Sequence, residues 1–251
     1  MTWTDGYLRF YQPRPQASRL LICFPHAGGG ASAFRSWPFL LDDDTDVAIA
    51  QYPGREDRFG EPRVEDMDTL LDELLNEALA HVERRPFCLL GHSMGGAVAH
   101  ELAMRLTSRG ARPRRLVVSG RQPPSHHPLD STIHQSTDSE LLAELLRLSP
   151  DNEALAQEPE LAALLLPVVR GDYRLIERYR PGTCPPLDCP ITVLAGEQDP
   201  ELSREAAHAW SAYTRGNCRV HFFPGDHFFI ASQRAQVVAT VRRAMLDEEL
   251  T

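Results

Sequence analysis

The chain has 251 residues, 42% hydrophobic and 24% charged, a balance that excludes disordered and fibrous classes and suits a globular protein. All 26 basic residues are arginine, so catalysis through a lysine Schiff base and phosphate binding by a Walker-type lysine are both excluded. A formal net charge of −9 argues against broad nucleic-acid binding, which depends on clustered cations.

The amino terminus mixes Asp5 and Arg9 with aromatics instead of forming an apolar h-region, and no run approaches the length of a membrane span. A cytoplasmic protein is expected. The five cysteines are scattered without a C-x-x-C pair, which predicts free thiols and no zinc site. Six short apolar runs follow in order, at 20–24, 47–50, 87–90, 116–119, 191–195 and 220–223. Most lack alternation, as strands covered on both faces do, which predicts a mostly parallel sheet. Between them stand helical patterns at 67–84, 94–109, 204–213 and 231–248, so the class is α/β with a central sheet flanked by helices.

About seventy residues part the fourth run from the fifth, too many for a simple connection. This stretch opens with a Pro-, Ser- and His-rich loop at 121–135. Thr137 and Glu140 then form a capping-box pattern before Leu141, Leu142, Leu145, Leu146 and Leu148. Pro159 stands at the first position of a second helix, with Pro167 expected to kink it. The reading is one domain over 1–251 with residues 121–186 inserted as a helical lid. Its leucines either pack the insertion onto the body or line an acyl pocket.

The strongest motif is Gly91-His92-Ser93-Met94-Gly95-Gly96, directly after the third run and directly before a helical pattern. This is G-x-S-x-G in the context of a nucleophile elbow, where glycines let strand and helix approach while Ser93 projects upward. A serine needs a base, and the base an orienting acid. Asp199 lies in the loop after 191–195 and His227 in the loop after 220–223, in the chain order that an α/β-hydrolase sheet imposes, and three strand ends of a parallel sheet share one edge. Glu197 is the rival acid; Asp226 adjoins His227 too closely in sequence to reach its ring. His92, His126, His127, His134, His208 and His221 are expected to be surface or core. The oxyanion donors are expected to be the backbone N–H of Met94, after the nucleophile, and that of Ala27, in the Gly-rich loop 24–30 after the first run. That loop lacks the spacing of a dinucleotide-binding fingerprint.

Together, Phe24-Pro25-His26-Ala27-Gly28-Gly29-Gly30, Gln51-Tyr52-Pro53-Gly54-Arg55-Glu56, the serine motif, Ser119-Gly120-Arg121, Cys189-Pro190-Ile191-Thr192 and Pro224-Gly225-Asp226-His227-Phe228-Phe229 resemble the type II thioesterases that accompany polyketide synthases and nonribosomal peptide synthetases. The resemblance implies an α/β-hydrolase that clears unproductive acyl groups from the phosphopantetheine arms of acyl or peptidyl carrier proteins, or from acyl-CoA, without a cofactor of its own. It supports Ser93, Asp199 and His227 as triad and Ala27 and Met94 as oxyanion donors. Docking of acidic carrier proteins would need a local basic surface, for which Arg170, Arg174, Arg178 and Arg180 recur at helical spacing. A carboxylesterase, a chain-releasing thioesterase and a non-catalytic carrier-binding scaffold are the alternatives.

Overall fold

The computed structural model describes residues 6–247. The predicted end of the last helix at Glu248, and the reading of residues 1–5, lie outside the described residues. Seven strands form one sheet: β1 (Leu8–Arg9), β2 (Arg19–Phe24), β3 (Thr45–Ala50), β4 (Phe87–His92), β5 (Arg115–Ser119), β6 (Ile191–Gly196) and β7 (Cys218–Phe223). Their spatial order is β1-β3-β2-β4-β5-β6-β7, and every pairing is parallel except β1 against β3. The parallel edge predicted from the six apolar runs is therefore real. The added strand is β1, whose two residues are too few to leave a periodic signal.

Alternation along a strand explains why the central runs are continuously apolar. Leu20, Ile22 and Phe24 face a core built with Leu70, Leu74, Val98 and Leu102, while Leu21 and Cys23 face a second core with Phe34, Trp37, Val237 and Val241. Both faces are covered, so neither set of positions can be polar. β7 departs from the buried reading: it is the sheet's edge, and only Phe223 of its six residues is fully buried.

The helices are α1 (Met67–Val82), α2 (Met94–Ser108), α3 (Asp138–Leu148), α4 (Glu153–Gln157), α5 (Pro159–Arg178), α6 (Arg204–Ala209), α7 (Phe229–Ser232) and α8 (Arg234–Met245). Asp66 caps α1 by accepting from the Thr69 amide at 2.8 Å. Instead of reaching 213 as one helix, α6 gives way to a 3-10 turn at Trp210–Tyr213, and the predicted terminal helix divides at Gln233. Among the described residues no helix is long and apolar enough to cross a membrane, and all five cysteines are free thiols.

Helices α3, α4 and α5 fill the long connection from β5 to β6. The capping box at Thr137 and Glu140 forms as read, with the Thr137 amide donating to the Glu140 carboxylate at 2.7 Å. α5 begins at Pro159 and runs through Pro167 without interruption. Leu141, Leu145, Leu148, Ala162, Leu166 and Val169 form a small core of their own, against which Phe228 of the β7–α7 loop packs.

Candidate active site

The turn between β4 and α2 is held by backbone proximity. A side chain on Gly91 would place its Cβ 1.9 Å from the Gly95 carbonyl oxygen, and one on Gly95 would place its Cβ 2.0 Å from that of Phe24, so only glycine fits either position. Ser93 between them has φ 55° and ψ −120°, a conformation that a residue with a Cβ adopts only under constraint. Its amide donates to the Ser119 carbonyl at 2.8 Å, and its carbonyl accepts from Gly96 at 2.9 Å.

Glycine also brings the last two strand-end loops together. A Cβ on Gly196 would lie 2.3 Å from the carbonyl oxygen of Asp226, so the chain after β6 runs directly against the chain after β7. Across that contact His227 Nδ1 meets the two Asp199 carboxylate oxygens at 2.9 and 3.0 Å. The two side chains are 1% and 0% exposed. A carboxylate on Nδ1 fixes the tautomer, leaving Nε2 as the nitrogen that can accept a proton. The rival acids are elsewhere: Glu197 is exposed, and the Asp226 carboxylate accepts from Ser149 Oγ at 2.5 Å and from the Phe228 amide at 2.8 Å.

Ser93, His227, Ala27 and Met94 line one cavity of about 350 Å³. Among the described residues neither the Ala27 nor the Met94 N–H has a hydrogen-bond partner, so both donors remain available to a ligand. The structure thus brings together all five residues singled out in the sequence.

His92, expected from the sequence to be surface or core, packs against His227, and His26 packs against His92 in turn. The His92 ring centroid is 5.1 Å from that of His227, and its Nδ1 is 3.0 Å from Ser119 Oγ. Burial, reinforced by His227 and His26, holds the His92 pKa well below the ordinary value. Burial, with His227 and Arg55 adding to it, lowers that of His26 to about 4. Both rings are neutral at pH 7 and therefore do not oppose a positive charge developing on their neighbour.

The remainder of the cavity wall mixes polar and apolar side chains, most of them from the insertion and its entry loop. Arg147 donates to Glu144 at 2.8 Å and also pairs with Glu201. Glu177 accepts from Ser131, from the Ile133 amide at 2.7 Å and from His134 through its amide at 3.0 Å and ring Nδ1 at 2.5 Å. Arg121 lies against His127 Nδ1 at 2.6 Å, and burial lowers its pKa to about 10. Leu145 and Leu148 line the cavity while also packing the insertion's small core. Of the arginines at helical spacing, Arg170 pairs with Asp138 at 2.5 Å and Arg174 with Glu65 at 2.6 Å, whereas Arg178 at the end of α5 is exposed and Arg180 beyond it is exposed and donates to the Tyr179 carbonyl at 2.9 Å. Among the described residues no group of three or more His, Cys, Asp or Glu side chains is arranged to hold a metal ion.

One further cluster left no sequence signal beyond the Tyr-Pro-Gly-Arg segment. Buried Arg55 grips buried Asp172 of α5 through two bonds, Nη1–Oδ2 at 2.5 Å and Nη2–Oδ1 at 2.8 Å. The partners are 117 positions apart, so no local pattern couples them.

Comparison with known proteins places this geometry. The chain is 40% identical over 242 residues to a probable cadicidin biosynthesis thioesterase of Streptomyces griseus, covering 95% of this chain and 66% of that protein, just under two thirds of its length. It is 36% identical over 228 residues to thioesterase PikA5 of Streptomyces venezuelae, covering 90% of this chain and 81% of that one. It superposes on the type II thioesterase BorB from the borrelidin biosynthetic cluster with a TM-score of 0.88 and 38% identity, covering 98% and 100% of the two chains. The fold is that of the α/β-hydrolases. Residues 19–245 match the thioesterase domain family, and the chain belongs to it.

Proposed function

We propose that this protein is an editing thioesterase of the type II class, hydrolysing aberrant or stalled acyl groups from the phosphopantetheine arms of carrier proteins in a polyketide or nonribosomal peptide synthase. The observation that carries this reading is the pairing of His227 with Asp199 on the cavity that Ser93 lines, in a chain similar over nearly its whole length to BorB. We read the chain as one domain over 1–251, with residues 121–186 as a lid above the cavity.

In the cycle, Asp199 orients His227, whose Nε2 takes the Ser93 hydroxyl proton as Oγ adds to the thioester carbonyl. The resulting oxyanion is met by the amides of Ala27 and Met94. Collapse breaks the C–S bond, and His227 returns its proton to the departing pantetheine thiolate, leaving an acyl-serine. A water then gives a proton to His227 and adds to the ester. Collapse of the second oxyanion restores the Ser93 hydroxyl and releases the acid. Every proton is carried by side chains of this protein or by water, and the pantetheine arrives with the substrate.

Mass spectrometry of a carrier protein loaded with acyl groups, before and after exposure to the enzyme, tests the reading. Loss of the acyl mass with the arm retained is expected, at a rate well above that on oxygen esters. Ser93→Ala should fold normally and lose several orders of magnitude in rate along with fluorophosphonate labelling. Full activity in that variant overturns the triad, and a preference for oxygen esters makes the protein a carboxylesterase instead.

A further inference from the structure

Asp172 does more than neutralise Arg55. Its Oδ2 also accepts the Gly28 amide at 2.7 Å, so one carboxylate on α5 holds both the guanidinium and the oxyanion loop. Arg55 Nη1 returns to that loop, donating to the Gly29 carbonyl at 3.1 Å. The loop itself turns at Gly28, φ +81°, with Gly29 donating to the His26 carbonyl at 3.0 Å. Val169, one turn before Asp172 on α5, presses on the same residue: a Cβ on Gly28 would lie 2.6 Å from its Cγ2. At the start of the loop the Tyr52 hydroxyl donates to the Pro25 carbonyl at 3.3 Å.

The Gly28 N–H belongs to the planar peptide that begins at Ala27, so anchoring it fixes that plane. The plane carrying the Ala27 N–H is separated from it only by the two rotations at Ala27 Cα. An ion pair of this depth is weak evidence for stability, because desolvation offsets much of its attraction, and it is better suited to holding one conformation.

We propose that Arg55 and Asp172 are positioning residues of thioester hydrolysis: they clamp the 26–30 turn so that the Ala27 N–H meets the oxyanion, and they present that donor only while α5 is seated against the turn. The inference rests on the reading of Ala27 as an oxyanion donor. It makes the insertion a condition for the hole and not merely a cover over the pocket. A substrate that lifts α5 out of place finds the serine and histidine intact and the hole incomplete.

The test replaces the pair with apolar residues of similar volume, Arg55→Met with Asp172→Leu, and separately makes Asp172→Asn. Circular dichroism and thermal melting report folding. Steady-state kinetics on an acyl-N-acetylcysteamine thioester separate kcat from KM. Affinities for a trifluoromethyl ketone analogue, which forms an anionic adduct on Ser93, and for the product acid separate oxyanion binding from pocket binding. In the folded double variant kcat should fall about 100-fold with KM changed less than about threefold, the analogue weakening in proportion and the product acid binding as before. Asp172→Asn should lose about tenfold in kcat, since it keeps an acceptor for Gly28 but not the grip on Arg55. A wild-type kcat in the folded double variant, or a loss confined to KM, overturns the clamp. Should the double variant not fold, an undiminished kcat in Asp172→Asn does the same. Ser93→Ala assayed in parallel keeps the two readings apart: if it is inactive while the pair variants run at wild-type speed, the clamp alone falls.

Discussion

The catalytic edge of the sheet and the insertion above it are held by different means. Along the edge, chain meets chain with nothing between: Gly91 against Gly95, Gly95 against Phe24, Gly196 against Asp226. The insertion relies on side chains: an apolar core of its own, Leu175 and Ile176 in the main core, and polar networks in which Glu177 gathers Ser131, Ile133 and His134 and Arg170 and Arg147 pair with acids. Contacts between backbones leave no slack, whereas networks of long side chains can be lengthened or exchanged one member at a time. Chemistry that tolerates little misplacement stands on the first, and the wall that meets variable acyl groups stands on the second.

The largest way to break the contrast is Gly95→Ala. A methyl group 2.0 Å from a carbonyl oxygen forces β2, β4 and α2 apart, and we expect a cost of about 3 kcal/mol or more and a fall in Tm on the order of 10 °C, read by calorimetry. A melt within about 2 °C of wild type would show that the edge has slack after all.

Next in size is Glu177→Ala, which leaves the amides of Ile133 and His134 without their acceptor at a cost of about 2 kcal/mol. Here the damage should stay local. Hydrogen exchange should quicken in residues 131–178 and not in the strands, KM should rise severalfold, and fluorophosphonate labelling of Ser93 should continue near the wild-type rate. Accelerated exchange throughout the sheet would contradict the division.

The smallest effect is set by pH and belongs to the edge. Unfolded histidine takes up protons below about pH 6.5, whereas folded His26 resists until about 4 and burial holds folded His92 well below its ordinary value. The unfolded state therefore binds more protons between those values, and stability should fall as pH drops from 7 to 5. Urea titrations at the two pH values measure the fall, and His92→Asn should flatten it. An unchanged slope in that variant would remove His92 from the account.

How much was legible in the sequence follows the same division. Central strands bury both faces, so 20–24, 87–90 and 116–119 announced themselves as unbroken apolar runs. Ser93, Asp199 and His227, which the structure brings together, could be picked out as candidates because each follows such a run, and chain order then narrowed the choice. β1 escaped because two residues carry no period, and α4 because five do little better. The half-exposed β7 was read as buried because its residues are apolar enough for either position, and only the sheet order reveals an edge. The tie from Asp172 to Arg55 and Gly28 was invisible for a different reason. An aspartate inside an amphipathic helix reads as a solvated polar face until folding brings its distant partners to it.

Asp172 also bears on how such enzymes could be recombined. An insertion that supplies much of the cavity wall invites exchange for another of different chain-length preference, provided the replacement keeps the packing of Leu175 and Ile176 in the main core and the bond from Ser149 to Asp226. The crossing that also sets the glycine loop is the carboxylate of α5 on Gly28. A transplanted insertion would have to bring an acid at that position and find an arginine waiting in the recipient, or the hybrid would grip its new substrate and turn it over slowly.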